Sequence, residues 1–207
     1  IPDNMIYTAK IIVDVFTAKW KQKRDKSKHC TNLEEIMTEI WDVYDENGKK
    51  TGRTMERGIP KDGDYMLCVH MYLFNLSGEV LVQKRSKNKE SHPGEWDITG
   101  GAALSGENSN DAVIRETCEE IGVNLSKEEL HYVGRIIKTG RIIDVFFAQR
   151  DFAITDCHIQ NEEVDEIKFV SCHELLGEIL EKRGRKKNYI SMIKNAVKNY
   201  DFKNNQY

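Results

Sequence analysis

The stretch GAALSGENSNDAVIRETCEEIGV, from Gly101 to Val123, constrains this chain more than any other. No Pro interrupts residues 109 to 121, and Gly122 suits the left-handed residue that ends a helix. Ser109 is a suitable N-cap, with Asp111 in the first turn at the positive end of the helix dipole. These signals predict a helix closing at Ile121. At about 100° per residue, Glu116, Glu119 and Glu120 fall within an arc of roughly 100°, and the small Ala112 lies in the same arc. Val113, Ile114, Thr117, Cys118 and Ile121 form the opposite side and are expected to pack on a core. Like charges on one helix face cost a few tenths of a kcal/mol per pair, roughly. A hard divalent ion held by oxygen ligands, Mg²⁺ or Mn²⁺, removes that cost and bridges to phosphate oxygens. The fold must therefore bury one side of this helix and leave its acids near a ligand.

The acids belong to a longer pattern. Gly101, Glu107, Arg115, Glu116, Glu119, Glu120 and Gly122 stand on G-x5-E-x7-R-E-U-x-E-E-x-G-U, where U is a bulky apolar residue. This segment resembles the Nudix box, the signature of hydrolases that cleave a diphosphate linked to another moiety. Thr117 departs from the pattern, standing where the family has Leu, Ile or Val. The resemblance implies an α/β Nudix fold, a mixed β-sheet in an α/β/α sandwich. It also implies a Mg²⁺-dependent pyrophosphohydrolase, with Mn²⁺ as a substitute ion, acting on a small-molecule diphosphate. Glu116, Glu119 and Glu120 are implied as metal ligands together with the Gly101 loop, with Glu116 as ligand or base. Arg115 is implied to hold a box glutamate in place. Arg85, at the end of a strand, and Glu107 are assigned to substrate binding. Because the family places its general base variously, Glu162, Glu163 and Glu166 are reserve candidates. Dimers are frequent in the family, so a homodimer is compatible with the resemblance.

The remaining sequence sets the frame. The 207 residues suit one substantial domain, and 39% hydrophobic with 31% charged residues fit a soluble globular chain. A formal net charge of −3 gives no reason to expect an obligatory nucleic-acid partner. No apolar run is long enough for a membrane span, and IIVDVF is too short for a signal peptide. The five cysteines have no redox or metal spacing, which points to buried free thiols in a reducing cytoplasm. Cys157-His158 and Cys172-His173 are adjacent pairs, whose side chains diverge in extended backbone, so zinc is not expected there.

Residues 1–36 carry seven Lys or Arg against five acids, whereas the remainder carries 24 against 29. They are read as an N-terminal extension to a Nudix domain over 37–207. Were Glu34 and Glu35 encoded GAG GAG, the message would place a purine-rich ribosome-binding sequence just upstream of an ATG at Met37. Translation is accordingly expected to start at Met37, the rival being an authentic N-terminal element packed on the domain. Asn47-Gly48 predicts a hairpin. YMLCVHMYLFN, EVLVQKR, HYVGRIIK, RIIDVFFAQ and NEEVDEIKFV read as strands. Trp96, in HPGEWDITGG, is expected to pack beneath the loop. Ser171 and Glu174 form a capping-box pattern, NYISMIKNAVKNY reads as a final helix, and KRGRKK between the two helices as a solvated turn.

Two rivals to a hydrolase follow from the same residues. HPGEW and the hairpin before it also resemble isopentenyl-diphosphate isomerases, which share the fold. Those enzymes use a cysteine in the loop after the Trp, and here that loop is DITGGAALSG. A nucleotide-sensing Nudix module without turnover would tend to lose box acids, whereas this chain keeps all four.

Overall fold

A computed structural model describes residues 38–202, so the extension expected over 1–36 lies outside the described residues. The Asn47-Gly48 turn joins β1 (Ile40–Tyr44) and β2 (Lys50–Glu56) as an antiparallel hairpin, with Gly48 at φ 76°. The main sheet holds β3 (Met66–Phe74), β4 (Val80–Arg85), β5 (Trp96–Asp97), β6 (Thr99–Ala102), β7 (His131–Lys138), β8 (Arg141–Gln149) and β9 (Val164–Val170). The path β5-β4-β3-β8-β7 is its spine, β9 pairs with β4, and β6 pairs with β3. Only β3 and β8 run parallel, so the sheet is mixed, as expected.

Period-2 alternation along β3 builds two cores. Leu67, Val69, Met71 and Leu73 face α1 (Ser109–Ile121), which contributes Ala112, Val113 and Ile121. Tyr72, Phe74, Val80, Val82, Val145 and Phe147 face the C-terminal helices, which contribute Leu175, Ile179, Leu180, Tyr189 and Ile193. The result is an α/β/α sandwich. The C-terminal layer comprises α2 (Cys172–Glu174), a π-helical turn over Leu175–Ile179, α3 (Leu180–Lys182) and α4 (Lys187–Asn199). Ser171 caps α2 by accepting from Glu174 N–H at 3.1 Å. The reciprocal half of the expected box is replaced, because the Glu174 carboxylate instead accepts from Lys168 Nζ at 2.8 Å.

One sequence expectation is overturned in part here. Lys182, Gly184, Lys186 and Lys187 of the basic turn are exposed, but Arg183 and Arg185 keep only 9% and 15% of their side chains exposed, both on the buried Asp97. Arg183 donates to Asp97 Oδ2 from Nε and Nη2, and Arg185 Nη2 reaches both carboxylate oxygens. Burial works against the Asp97 charge, yet the two guanidinium groups outweigh it and hold its pKa below the usual carboxylate value. Removing one partner of such a set strands buried charge, so Asp97→Ala is expected to lose about 3–5 kcal/mol. Urea unfolding against the parent chain checks this, and a loss below about 1 kcal/mol would mean the arginines find water instead. Trp96 packs, as expected of a structural residue, against the core on the C-terminal face of the sheet. Lys168 Nζ sits 4.7 Å and Lys84 Nζ 5.9 Å from its ring centroid, a cation–π arrangement.

The cysteines are less buried than expected: Cys68, Cys118, Cys157 and Cys172 are free and all partly exposed. Among the described residues, no helix is long and apolar enough to cross a membrane.

Candidate active site

The N-cap of α1 lies one residue before the expected Ser109, which is itself the first helical residue. Asn108 is the N-cap, accepting from Asn110 and Asp111 N–H at 3.0 and 3.1 Å. Gly122 closes the helix at φ 75°, its N–H donating to Cys118 O. The buried stripe is rotated from the one expected. It comprises Ala112, Val113, Thr117, Glu120 and Ile121, while Ile114 and Cys118 lie on its flank, partly exposed. Thr117 is fully buried, yet its hydroxyl donates to Val113 O at 2.6 Å. That internal bond lets a polar residue occupy a position suited to an aliphatic one.

Rotation of the stripe carries Glu120 inward, leaving it 5% exposed. Its Oε2 accepts from Gly100 N–H at 3.0 Å and from Gln83 Nε2 at 2.8 Å. Arg115 Nη2 donates to Ala102 O at 2.9 Å. Side chains of α1 thus occupy backbone groups of β6 that the sheet does not pair, in the gap where β3 exchanges β6 for β4 as its neighbour. Gln83 was not foreseen, and its signal is a polar residue at an inward position of VLVQKR.

Gly101 explains itself by contact. A Cβ there would lie 2.3 Å from the Cδ and Oε1 of Glu116, so the glycine lets the carboxylate rest on β6. Gly101→Ala is expected to displace Glu116, because the obstruction is the end of a flexible side chain, and to cut turnover about tenfold or more with the fold intact. Gly100→Ala should instead fail to fold properly, since its Cβ would meet the Val69 carbonyl oxygen at 2.2 Å. Circular dichroism melts beside activity assays separate the two results.

Arg115 organises the remaining acids. Its Nε and Nη2 donate to the two carboxylate oxygens of Glu107 at 2.8 and 3.1 Å, a bidentate pair. Nη1 donates to Glu116 Oε1 at 3.0 Å and Glu119 Oε2 at 2.8 Å. Burial disfavours the guanidinium charge, but Glu107, Glu116 and Glu119 outweigh it and raise its pKa. Glu107, assigned from the sequence to substrate, is committed to Arg115 and to Leu104 N–H at 2.8 Å, so its place is a brace behind the arginine. Arg85 ends β4, its guanidinium held by Ser91 O and Oγ at 3.0 and 3.2 Å.

The reserve acids separate clearly. Glu166 pairs with Lys84, which lies over Trp96, placing it on the sheet face away from α1. Glu162 is exposed. Glu163 forms an ion pair with Lys89, and the segment before it is tied to the end of α1 by Gln160 N–H on Glu120 O and His158 N–H on Ile121 O.

Burial, and next the neighbouring Glu116 charge, push Glu120 up to about 8 despite its two hydrogen bonds. Burial likewise pushes Glu116 up to about 7, Glu119 adding to the rise and Arg115 opposing it. The buried Glu120 and the largely covered Glu116, both resisting ionisation side by side against Gly100 and Gly101, suit a hard divalent cation. As the side chains stand, no three acids, His or Cys among the described residues enclose such an ion. Arg115 draws the half-exposed Glu119 aside, and a turn of that side chain would bring it to the others.

Acids of α1 set against the edge of β6 that β3 leaves unpaired, inside an α/β/α sandwich, form the arrangement that the box resemblance implies for a hydrolase of phosphoanhydrides. Comparison with known proteins agrees: residues 64–192 match the NUDIX domain. An uncharacterized Nudix hydrolase of Listeria monocytogenes is 36% identical over 139 residues, spanning 66% of this chain and 82% of the relative. An isopentenyl-diphosphate Delta-isomerase of Shigella flexneri is 29% identical over 153 residues, 68% of this chain and 81% of its own length. A crystal structure of a Deinococcus radiodurans protein aligns with a TM-score of 0.61 at 21% identity, covering 76% of this chain and 98% of that one. The chain belongs to the Nudix family, whose hydrolases act on pyrophosphate bonds.

Proposed function

We propose that the chain is a Mg²⁺-dependent hydrolase of a nucleoside diphosphate linked to another moiety, with Mn²⁺ as a substitute ion. The observation that carries this reading is the pair of desolvated acids, Glu116 and the buried Glu120, brought against Gly100 and Gly101 at the gap beside β6. Glu119, Glu120 and the Gly101 backbone would hold the ion, with Glu116 either as a further ligand or, left free of the ion, as the base. When bound, the ion would neutralise phosphate oxygens and lower the pKa of water. Glu116, with a pKa near neutrality, is suited to accept the proton of the attacking water as the P–O bond to the leaving group breaks. Glu163 is the best placed of the reserve bases. Arg115 positions Glu116 and Glu119 and is itself braced by Glu107. Arg85 is assigned to a substrate phosphate. Free thiols at the four described cysteines support action in the cytoplasm.

The identity to an isomerase makes a second activity worth testing. Cys68 of β3 is in register with Ala102 of β6, but burial pushes its thiol up to about 11, protonated at neutral pH. The test is release of phosphate or pyrophosphate from nucleoside triphosphates, nucleotide sugars, ADP-ribose and dinucleoside polyphosphates, with Mg²⁺ and with excess EDTA. Metal-dependent release is expected for at least one class. Full release in EDTA would defeat the metal assignment, and allylic isomerisation of isopentenyl diphosphate without release would reassign the chain.

A further inference from the structure

We propose that Lys138, Arg141 and Arg185 form an anion-binding subsite, which takes a phosphate or carboxylate carried by the moiety linked to the scissile diphosphate. The inference rests on the hydrolase reading for the identity of the ligand, and on the sheet for the site. Four strands lie side by side in the order β6, β3, β8, β7. On the face away from α1, register places Ala102 beside Cys68, Cys68 beside Ile143, and Lys138 beside Arg141. Cys68, Ile136 and Ile143 all pack in the C-terminal core, and Lys138 and Arg141 each follow that alternation by two residues. Arg185 arrives from the opposite layer, held by Asp97 and lying 5.5 Å over the Tyr189 ring. The Tyr189 hydroxyl is in turn fixed by His70 Nδ1 at 2.7 Å and Tyr72 at 2.8 Å.

The charge here is unbalanced. Asp97, the acid in this group, is already shared by Arg183 and Arg185, and Glu95 takes a second bond from Arg183. Among the described residues, Lys138, Arg141 and Lys186 have no carboxylate within salt-bridge distance, and buried Arg185 Nε has no hydrogen-bond partner. Burial first, then Arg141, Arg185 and Lys186, lower the Lys138 pKa, as expected of cations gathered without a counter-charge. His70, kept neutral by burial, adds no positive charge. On the face this group occupies, β6 presents Gly100 and Ala102, in register with His70 and Cys68 of β3, whose side chains are absent or a methyl. Two interstrand spacings separate β6 from β8, about 10 Å, which a substrate extending from its diphosphate to a second anionic group can span.

The test titrates inorganic phosphate into the full chain at low ionic strength, followed by amide NMR, with no turnover required. Lys138→Gln/Arg141→Gln is expected to weaken phosphate binding at least about tenfold. The same charge removed elsewhere, in Lys194→Gln/Lys198→Gln, should change it little. Equal weakening in both pairs, no weakening in the first, or no binding by the parent chain overturns the subsite. On whichever substrate the activity panel selects, phosphate should inhibit the parent competitively and lose that effect in Lys138→Gln/Arg141→Gln. Non-competitive inhibition would overturn the assignment to substrate. A chain that binds phosphate at these residues but hydrolyses nothing keeps the anion site and refutes the hydrolase reading, whereas hydrolysis without such binding refutes only the subsite.

Discussion

Glu120→Gln is expected to lower kcat by about 10²-fold or more, the usual cost of removing one group from a preorganised electrostatic site. The same substitution should leave the metal-free fold at least as stable as before. Glu120 is buried on α1 and its charge is opposed by desolvation and by Glu116. A neutral amide of the same shape avoids both costs, and its carbonyl can still accept from Gly100 N–H and Gln83. Activity and stability should therefore move apart, which a residue serving only the fold would not do. Turnover within threefold of the parent at subsaturating Mg²⁺ would remove Glu120 from the site. A large fall in thermal midpoint with metal absent would show instead that the carboxylate holds α1 in place.

The metal-free chain should lose stability as pH rises from about 5 to 8. Glu116 and Glu120 are raised from an ordinary 4.5 to about 7 and about 8, so the folded chain keeps protons that the unfolded chain has already released. Stability from these groups is complete below the unfolded pKa and is lost as pH climbs through the folded values. A divalent ion should reverse the trend, because it binds the deprotonated acids and so stabilises most at the alkaline end. Thermal midpoints in EDTA and in Mg²⁺, at pH 5 and pH 8, give four numbers that test this. In Glu120→Gln the metal-free slope should be smaller and the Mg²⁺ gain reduced. A midpoint that rises with pH in EDTA would mean the two acids are more solvated than their surroundings in the fold indicate.

Much of this protein follows from local sequence. Helix α1, its glycine stop, the Asn47-Gly48 hairpin and five of the seven strands of the main sheet each rest on short-range signals, namely side-chain period, turn residues and helix ends, whereas the short β5 and β6 carry none. The acids were legible because Glu116, Glu119 and Glu120 share an arc on any helix. Which of them is buried was not, since that depends on how the helix is rolled against the sheet. Packing of Ala112 and Val113 on β3 turned Glu120 inward and left Ile114 and Cys118 on the flank. Contacts between residues far apart in sequence decided the rest. Gln83 meets Glu120 only because β4 ends beside α1, and Glu107 reads as a ligand until Arg115 is seen to engage both its oxygens. KRGRKK looks solvated in isolation because a basic run usually is. Its two arginines turn inward while its lysines stay exposed, because Asp97, 86 residues from Arg183 in the chain, lies beneath them and would otherwise be an unpaired charge in the interior. Sequence alone determined most of the elements and which acids share one helix face, because their causes are local. Tertiary structure decided their desolvation and their partners, because burial and charge compensation exist only once distant segments have met.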